Sequence, residues 1–241
     1  MTKTKLAISI AFVFLTAVIL SACSTEETEQ AKLVALGDSI TYGANLENPE
    51  MSAYPYLIGE AAELEVQNLA VSGWQTGQLI EALQTDTEYQ QAVRDADYIA
   101  MTIGGNDLLH ILRTAEAESG GSMEMMMGII LEELGSNVVF DQVGELIAEI
   151  RSLTDAKILL YNIYNPLPPS SSLYSIGDSL LPQVNTAIAN VAENYEDVYL
   201  ADAFTAYQNN QDVYIIAGDI HPTEEGQEVL AEIGMEAITE E

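Results

Sequence analysis

Positive charge is what this sequence has least of. Seven lysines and arginines stand against 38 aspartates and glutamates in 241 residues, a net charge of −31. So acidic a body repels nucleic acid and anionic headgroups, which excludes polyanionic partners that would need a basic surface on this protein. Cysteine is nearly missing as well: Cys23 is the only one, and it has no partner for a disulfide. Two histidines and that cysteine make no credible metal cluster. The run "IGGND" lacks a dinucleotide fingerprint and no phosphate-cradling "GK[ST]" occurs, so no cofactor is expected. There is no internal repeat, no low-complexity tract and no linker-like stretch in the middle. The length therefore predicts one domain.

The first residues differ in kind from the rest. Lys3 and Lys5 precede the apolar run "LAISIAFVFLTAVIL", and "LSAC" follows it. That run has 15 residues, fewer than the roughly 20 a membrane-spanning helix needs, so residues 1–22 read as a cleaved export signal. "LSAC" resembles the lipobox of bacterial lipoproteins, which implies that Cys23 becomes the lipidated first residue of the mature chain. The polar segment "STEETEQ" then makes residues 23–30 a tether too polar to pack, with the domain over 31–241. The expectation is a protein held by lipid on the outer face of the cytoplasmic membrane. Losing Lys3 and Lys5 leaves five basic residues and a charge of −33. That acidity reads either as a solubility bias or as adaptation to a salty or alkaline exterior, where counter-ions screen self-repulsion.

Strand-like runs at 32–36, 66–71, 98–103, 157–163 and 198–201 alternate with helical patterns. Tyr54, Leu57, Ile58 and Ala61 share one stripe, as do Leu181, Val184, Ile188, Val191 and Tyr195. A last helix starts with Thr223 as N-cap and Glu224 and Glu225 in its first turn, with Val229, Leu230, Ile233 and Ala237 expected inside. Alternation of this kind predicts a three-layer α/β/α domain around a doubly wound, parallel, five-stranded sheet, flavodoxin-like in winding. One connection is oversized: a helical insertion is expected over about 108–154, after the third strand. In it Met123, Met126, Met127, Ile130, Leu131 and Leu134 form a stripe, with Met125 and Ile129 spreading apolar surface beyond. That segment reads either as ordinary core packing or as a flexible cover over an acyl-binding groove.

In such sheets ligands sit outside the carboxyl ends of the strands, where strand order reverses. The unusual residues cluster there: "GDS" after the first strand, "SGW" after the second, "GGND" after the third, and "GDIHP" before the last helix. A serine hydroxyl needs a base to take its proton, and histidine suits that work near neutrality. Ser39 is thus a candidate nucleophile and His221 its candidate base. The backbone N–H groups of Ser39 and Gly73 and the side-chain amide of Asn106 are candidate donors to an oxyanion. Asp38 is expected to organise its turn by local hydrogen bonds, and His110 to be a packed or surface residue. Tyr42 and Trp74 are candidate pocket residues because they flank the site, and Met126 because it lies in the segment that could cover an acyl groove.

These blocks in this order resemble the SGNH superfamily, also called GDSL-type esterases and lipases, from about Lys32 to Thr239. The resemblance implies that Ser39 is the nucleophile, His221 the base, and Ser39, Gly73 and Asn106 the oxyanion donors. One position departs from the pattern. The family places its triad aspartate three residues before the histidine, and Gly218 stands there; the nearest acid is Asp219. Asp219 either orients the imidazole or points to solvent and leaves a Ser39–His221 dyad. The expected activity is hydrolysis of carboxylic esters, including lipids or lysophospholipids, through an acyl-enzyme. Deacetylation of envelope polysaccharide is a second enzymatic reading, and an inactive lipid-anchored binding module is the alternative from another class.

Overall fold

The computed structural model describes residues 30–135, 138–171 and 173–239. The leader, Cys23 and the tether up to residue 29 lie outside the described residues. The chain runs β1 (Lys32–Gly37), α1 (Ser39–Tyr42), α2 (Pro49–Ser52), α3 (Tyr54–Ala62), β2 (Glu65–Asn68), α4 (Thr76–Thr85), α5 (Thr87–Arg94) and β3 (Tyr98–Thr102). It continues with α6 (Gly105–Glu118), α7 (Met123–Gly135), α8 (Val138–Leu153), β4 (Lys157–Tyr161), α9 (Tyr174–Ala192), β5 (Val198–Ala201), α10 (Ala203–Tyr207), α11 (Gln211–Tyr214) and α12 (Glu224–Thr239).

The five strands pair in the order β2-β1-β3-β4-β5, all parallel. Because helices cover both faces, the central strands carry apolar residues on both. Val34 and Leu36 of β1 point into one core with Ile99, Met101, Ile158 and Leu160, against helices that supply Leu79, Leu146, Ile147 and Ile188. Leu33, Ala100, Leu159 and Tyr161 point the other way, against Tyr54, Ile58, Tyr207 and Leu230. Strand order reverses at β1, between β2 and β3, so the carboxyl end of β1 is the natural crevice.

Two expected strands are shorter than their apolar runs, for local reasons. Beyond Asn68 the chain still follows β1, with the N–H groups of Leu69 and Val71 donating to the carbonyls of Ala35 and Gly37, but the Asn68 side chain takes the intervening Ala70 N–H. Past β4, the amide of Asn185 replaces a neighbouring strand by bonding both the N–H and the carbonyl of Ile163.

Burial departs from the apolar stripes in three helices. In α3 the inward face is Tyr54, Pro55, Ile58 and Gly59, and Ala61 is exposed. Gly59 lies so close to Val66 that a Cβ there would meet the Val66 side chain at 2.2 Å. In α12 the buried residues are Gly226, Gln227, Leu230, Ala231 and Gly234, leaving Val229, Ile233 and Ala237 half-buried at the flanks. Here glycine marks contact: a Cβ at Gly234 would sit 2.1 Å from the Tyr161 hydroxyl. In α7 only Met126 and Ile130 are buried; Met123 and Leu131 are exposed, because the helix packs on α6 and α9 rather than into a sheet-facing core. Between β3 and β4 the chain forms α6, α7 and α8. Of these, α8 buries Val143, Leu146, Ile147 and Ile150 against the sheet.

Candidate active site

The end of β1 explains the residues found there. Gly37 has φ +114, and a Cβ on it would lie 2.0 Å from the Thr102 carbonyl oxygen, so only glycine fits. The next N–H, from Asp38, donates to that carbonyl at 3.1 Å. Asp38 then caps α1: its Oδ1 accepts from the Ile40 N–H at 3.0 Å and from the Thr102 hydroxyl at 2.8 Å. The acid organises the turn, as the sequence suggests. Burial pushes its carboxyl up to about 6, against the pull of those hydrogen bonds and of nearby His221.

A helix of one turn has no stability of its own, and α1 is held from outside. Thr41 is fully buried and bonds the hydroxyls of Tyr54 and Thr102. At the helix end the Ile40 carbonyl, which already accepts the Gly43 N–H, also accepts from the side chain of Gln227, and the Thr41 carbonyl accepts from Asn68. Ser39 opens this turn, so its N–H has no intrahelical acceptor.

His221 arrives on a fastened loop. Ile215 and Pro222 form an isolated bridge, Ile216 N–H donates to the His221 carbonyl, and the buried Tyr164 hydroxyl donates to the Ile220 carbonyl at 2.8 Å. Asp219 N–H closes a tight turn onto the Ile216 carbonyl. Gly218 occupies the third position of that turn with φ +78, a conformation glycine adopts and aspartate strains to reach. That is a physical reason for the acid to stand one residue later. Thr223 caps α12 by accepting the Gly226 N–H.

The side chains meet in a line. Ser39 Oγ is 2.9 Å from His221 Nε2, and His221 Nδ1 is 2.7 Å from Asp219 Oδ1. With the carboxylate facing Nδ1, that nitrogen carries the proton and Nε2 offers its lone pair to the Ser39 hydroxyl. Asp219 does not point away to solvent. Its Oδ1 also accepts the Ile220 N–H at 2.7 Å, and its Oδ2 accepts from Asn45 Nδ2 at 2.6 Å. Partial burial raises the Asp219 carboxyl, but the hydrogen bonds from Ile220, His221 and Asn45 outweigh it and hold it below the usual carboxylate range. Asn45 Nδ2 also lies 3.2 Å from His221 Nδ1. Both nitrogens carry hydrogens in this arrangement, so that approach is a contact and not a bond.

Asn106 stands on the first turn of α6 and lines the same crevice as Ser39. One of its amide hydrogens goes to the Trp74 carbonyl at 2.9 Å, which ties the Gly73 loop to α6 and leaves the second hydrogen for the crevice. A buried Asp107 reinforces the join by accepting from the N–H and hydroxyl of Thr76.

Behind Ser39 runs a cavity of about 230 Å³. Its walls are Ile103, Leu108 and Leu112 beside β3 and α6, Ile130 and Leu134 of α7, and Ile176 and Leu180 of α9. Tyr42, Trp74 and Met126 are not among its walls. Tyr42 is turned outward, Trp74 stacks on Tyr89 at 5.6 Å against the main core, and Met126 packs with Ala115 beneath α6. Asn45 and the cavity walls carry no sequence signature; an asparagine after a helix-ending glycine announces a turn and nothing more. Among the described residues no group of His, Cys, Asp and Glu is arranged to hold a metal, and no helix is long and apolar enough to cross a membrane.

Comparison with known proteins adds four findings. The GDSL-like Lipase/Acylhydrolase family matches residues 35–229. The chain is similar to the uncharacterized protein YpmR of Bacillus subtilis (27% identical, covering 90% of this chain and 85% of that protein). It is also similar to the spore germination lipase LipC of Bacillus licheniformis (27%, covering 82% and 92%). Among solved structures it resembles the lipase Lip_vut3 from a goat rumen metagenome, with a TM-score of 0.70 and 24% identity over 86% of this chain and 97% of that one.

Proposed function

The chain belongs to the GDSL-like lipase/acylhydrolase family, and from that premise we propose that it is a lipid-anchored, extracytoplasmic serine hydrolase of esters with extended acyl chains. Ser39 Oγ attacks the ester carbonyl carbon while His221 Nε2 takes the hydroxyl proton. Charge gathering on the carbonyl oxygen meets the N–H groups of Ser39 and Gly73 and the free amide hydrogen of Asn106; such a donor is typically worth about 100- to 1,000-fold in rate. Asp219 keeps the ring in the required tautomer and stabilises the imidazolium. That imidazolium gives its proton to the departing alkoxide, leaving an acyl group on Ser39. Water, deprotonated by the same imidazole, then attacks the acyl carbon, and the acid leaves as Ser39 regains its proton.

One observation carries this reading: the line of 2.9 and 2.7 Å contacts from Ser39 through His221 to Asp219, set at the mouth of an apolar cavity. The cavity favours an acyl chain over an acetyl group. The anchor rests on "LSAC" at the end of the leader. The test is hydrolysis and organophosphonate labelling across acyl chain lengths, with Ser39→Ala as control. Wild type should label at Ser39 and prefer chains longer than acetyl, while Ser39→Ala falls to background. A preference for acetyl would favour the envelope deacetylase, and equal background hydrolysis by both proteins would favour a binding module.

A further inference from the structure

Among the described residues, Asn45 alone reaches the acid from a distant part of the chain: its amide meets Asp219 across 174 residues of sequence. Asp219 stands at a loop tip with its side chain 26% exposed. A carboxylate there, tied through Oδ1 alone, is free to swing its other oxygen into water and lose the angle at which it faces the imidazole. Asn45 removes that freedom by donating to Oδ2, so both oxygens are fixed. Asn45 itself is set by the nucleophile turn. Gly43 and Ala44 donate their N–H groups to the Ser39 carbonyl, and Asn45 takes φ +67, a left-handed conformation asparagine adopts more readily than most residues.

A closed circuit results: Ser39 to His221, His221 to Asp219, Asp219 to Asn45, and Asn45 through its backbone to Ser39. We infer that Asn45 is a positioning residue that fastens the displaced acid to the nucleophile turn, an inference resting on the roles proposed above for Ser39, His221 and Asp219.

Asn45→Gly deletes the amide while keeping a residue suited to φ +67, so the unfolding midpoint should hold. We expect kcat to fall roughly fivefold, the scale of one partly exposed charge-assisted hydrogen bond, with KM nearly unchanged and organophosphonate labelling of Ser39 slowed by the same factor. In an Asp219→Ala background the same change should cost nothing further, because Asn45 acts only through that carboxylate. Asn45→Asp places an anion beside the imidazole and favours its protonated form, so the acid limb of kcat/KM should move to higher pH by about half a unit or more. A wild-type rate in Asn45→Gly would overturn the inference, and so would a full fivefold loss in the Asp219→Ala background. Failure of wild type to label at Ser39 would overturn the hydrolase reading itself, a result separate from either.

Discussion

Asp38 keeps its carboxyl at 4% exposure beside the nucleophile, and burial lifts it from 3.8 to about 6. The folded protein thus binds this proton more tightly than the unfolded chain does, so stability declines as pH rises from about 4 to about 6. Above that window the full penalty applies, on the order of 3 kcal/mol. Asp38→Asn keeps an oxygen for Ile40 and Thr102 and removes the buried charge. At pH 8 the variant should resist urea better by about 1–3 kcal/mol, a gain that vanishes below the unfolded carboxyl range. Paired urea titrations at pH 8 and pH 3.5 check this, and a difference that ignores pH would refute it. At this scale sequence reading had a clear limit. Ser39, Gly73, Asn106 and His221 draw notice because they stand where strands end. The pairing of Asn45 with Asp219 does not, because it joins an exposed and a half-buried turn residue that only the folded sheet brings together.

Helix α7 is the element whose role was least legible. The strands declared themselves because residues buried on two faces form unbroken apolar runs, and their alternation with helices pointed to a flavodoxin-like winding. An apolar helix outside the sheet has no such frame. Its stripe could not show whether it faced a core or a void, and the structure gives it some of each: Met126 packs, while Ile130 and Leu134 border the cavity. Leu134 is half-buried, so a larger side chain there has room to be absorbed on one side only. We expect Leu134→Trp to reduce kcat/KM for long acyl esters by about tenfold or more while sparing acetyl esters, since each methylene in an apolar pocket is worth about 1–3 kcal/mol. A chain-length series on both proteins measures it. Parallel losses on every ester would show that α7 supports the site without measuring the chain.

For the molecule as a whole, a charge of −31 is a standing repulsion. Few cations offset it, and Arg151 directs its guanidinium to the carbonyls of Ala156, Glu196 and Asp197 rather than to carboxylates. Salt should therefore stabilise the fold. Raising sodium chloride from 0.01 to 0.15 M shortens the screening length from roughly 30 to 8 Å, and the thermal midpoint should climb by about 5 °C or more, equally in potassium chloride. A flat response would leave acidity as a matter of solubility alone.

A parallel sheet also has a direction. Lys32 begins β1 and Ser39 follows its far end, roughly 20 Å apart along a strand of this length. Were the proposed anchor before Lys32 in place, the body would be held by its stern, with the mouth of the cavity at the prow. Such an enzyme would meet esters drifting in from outside rather than those in the leaflet beneath it.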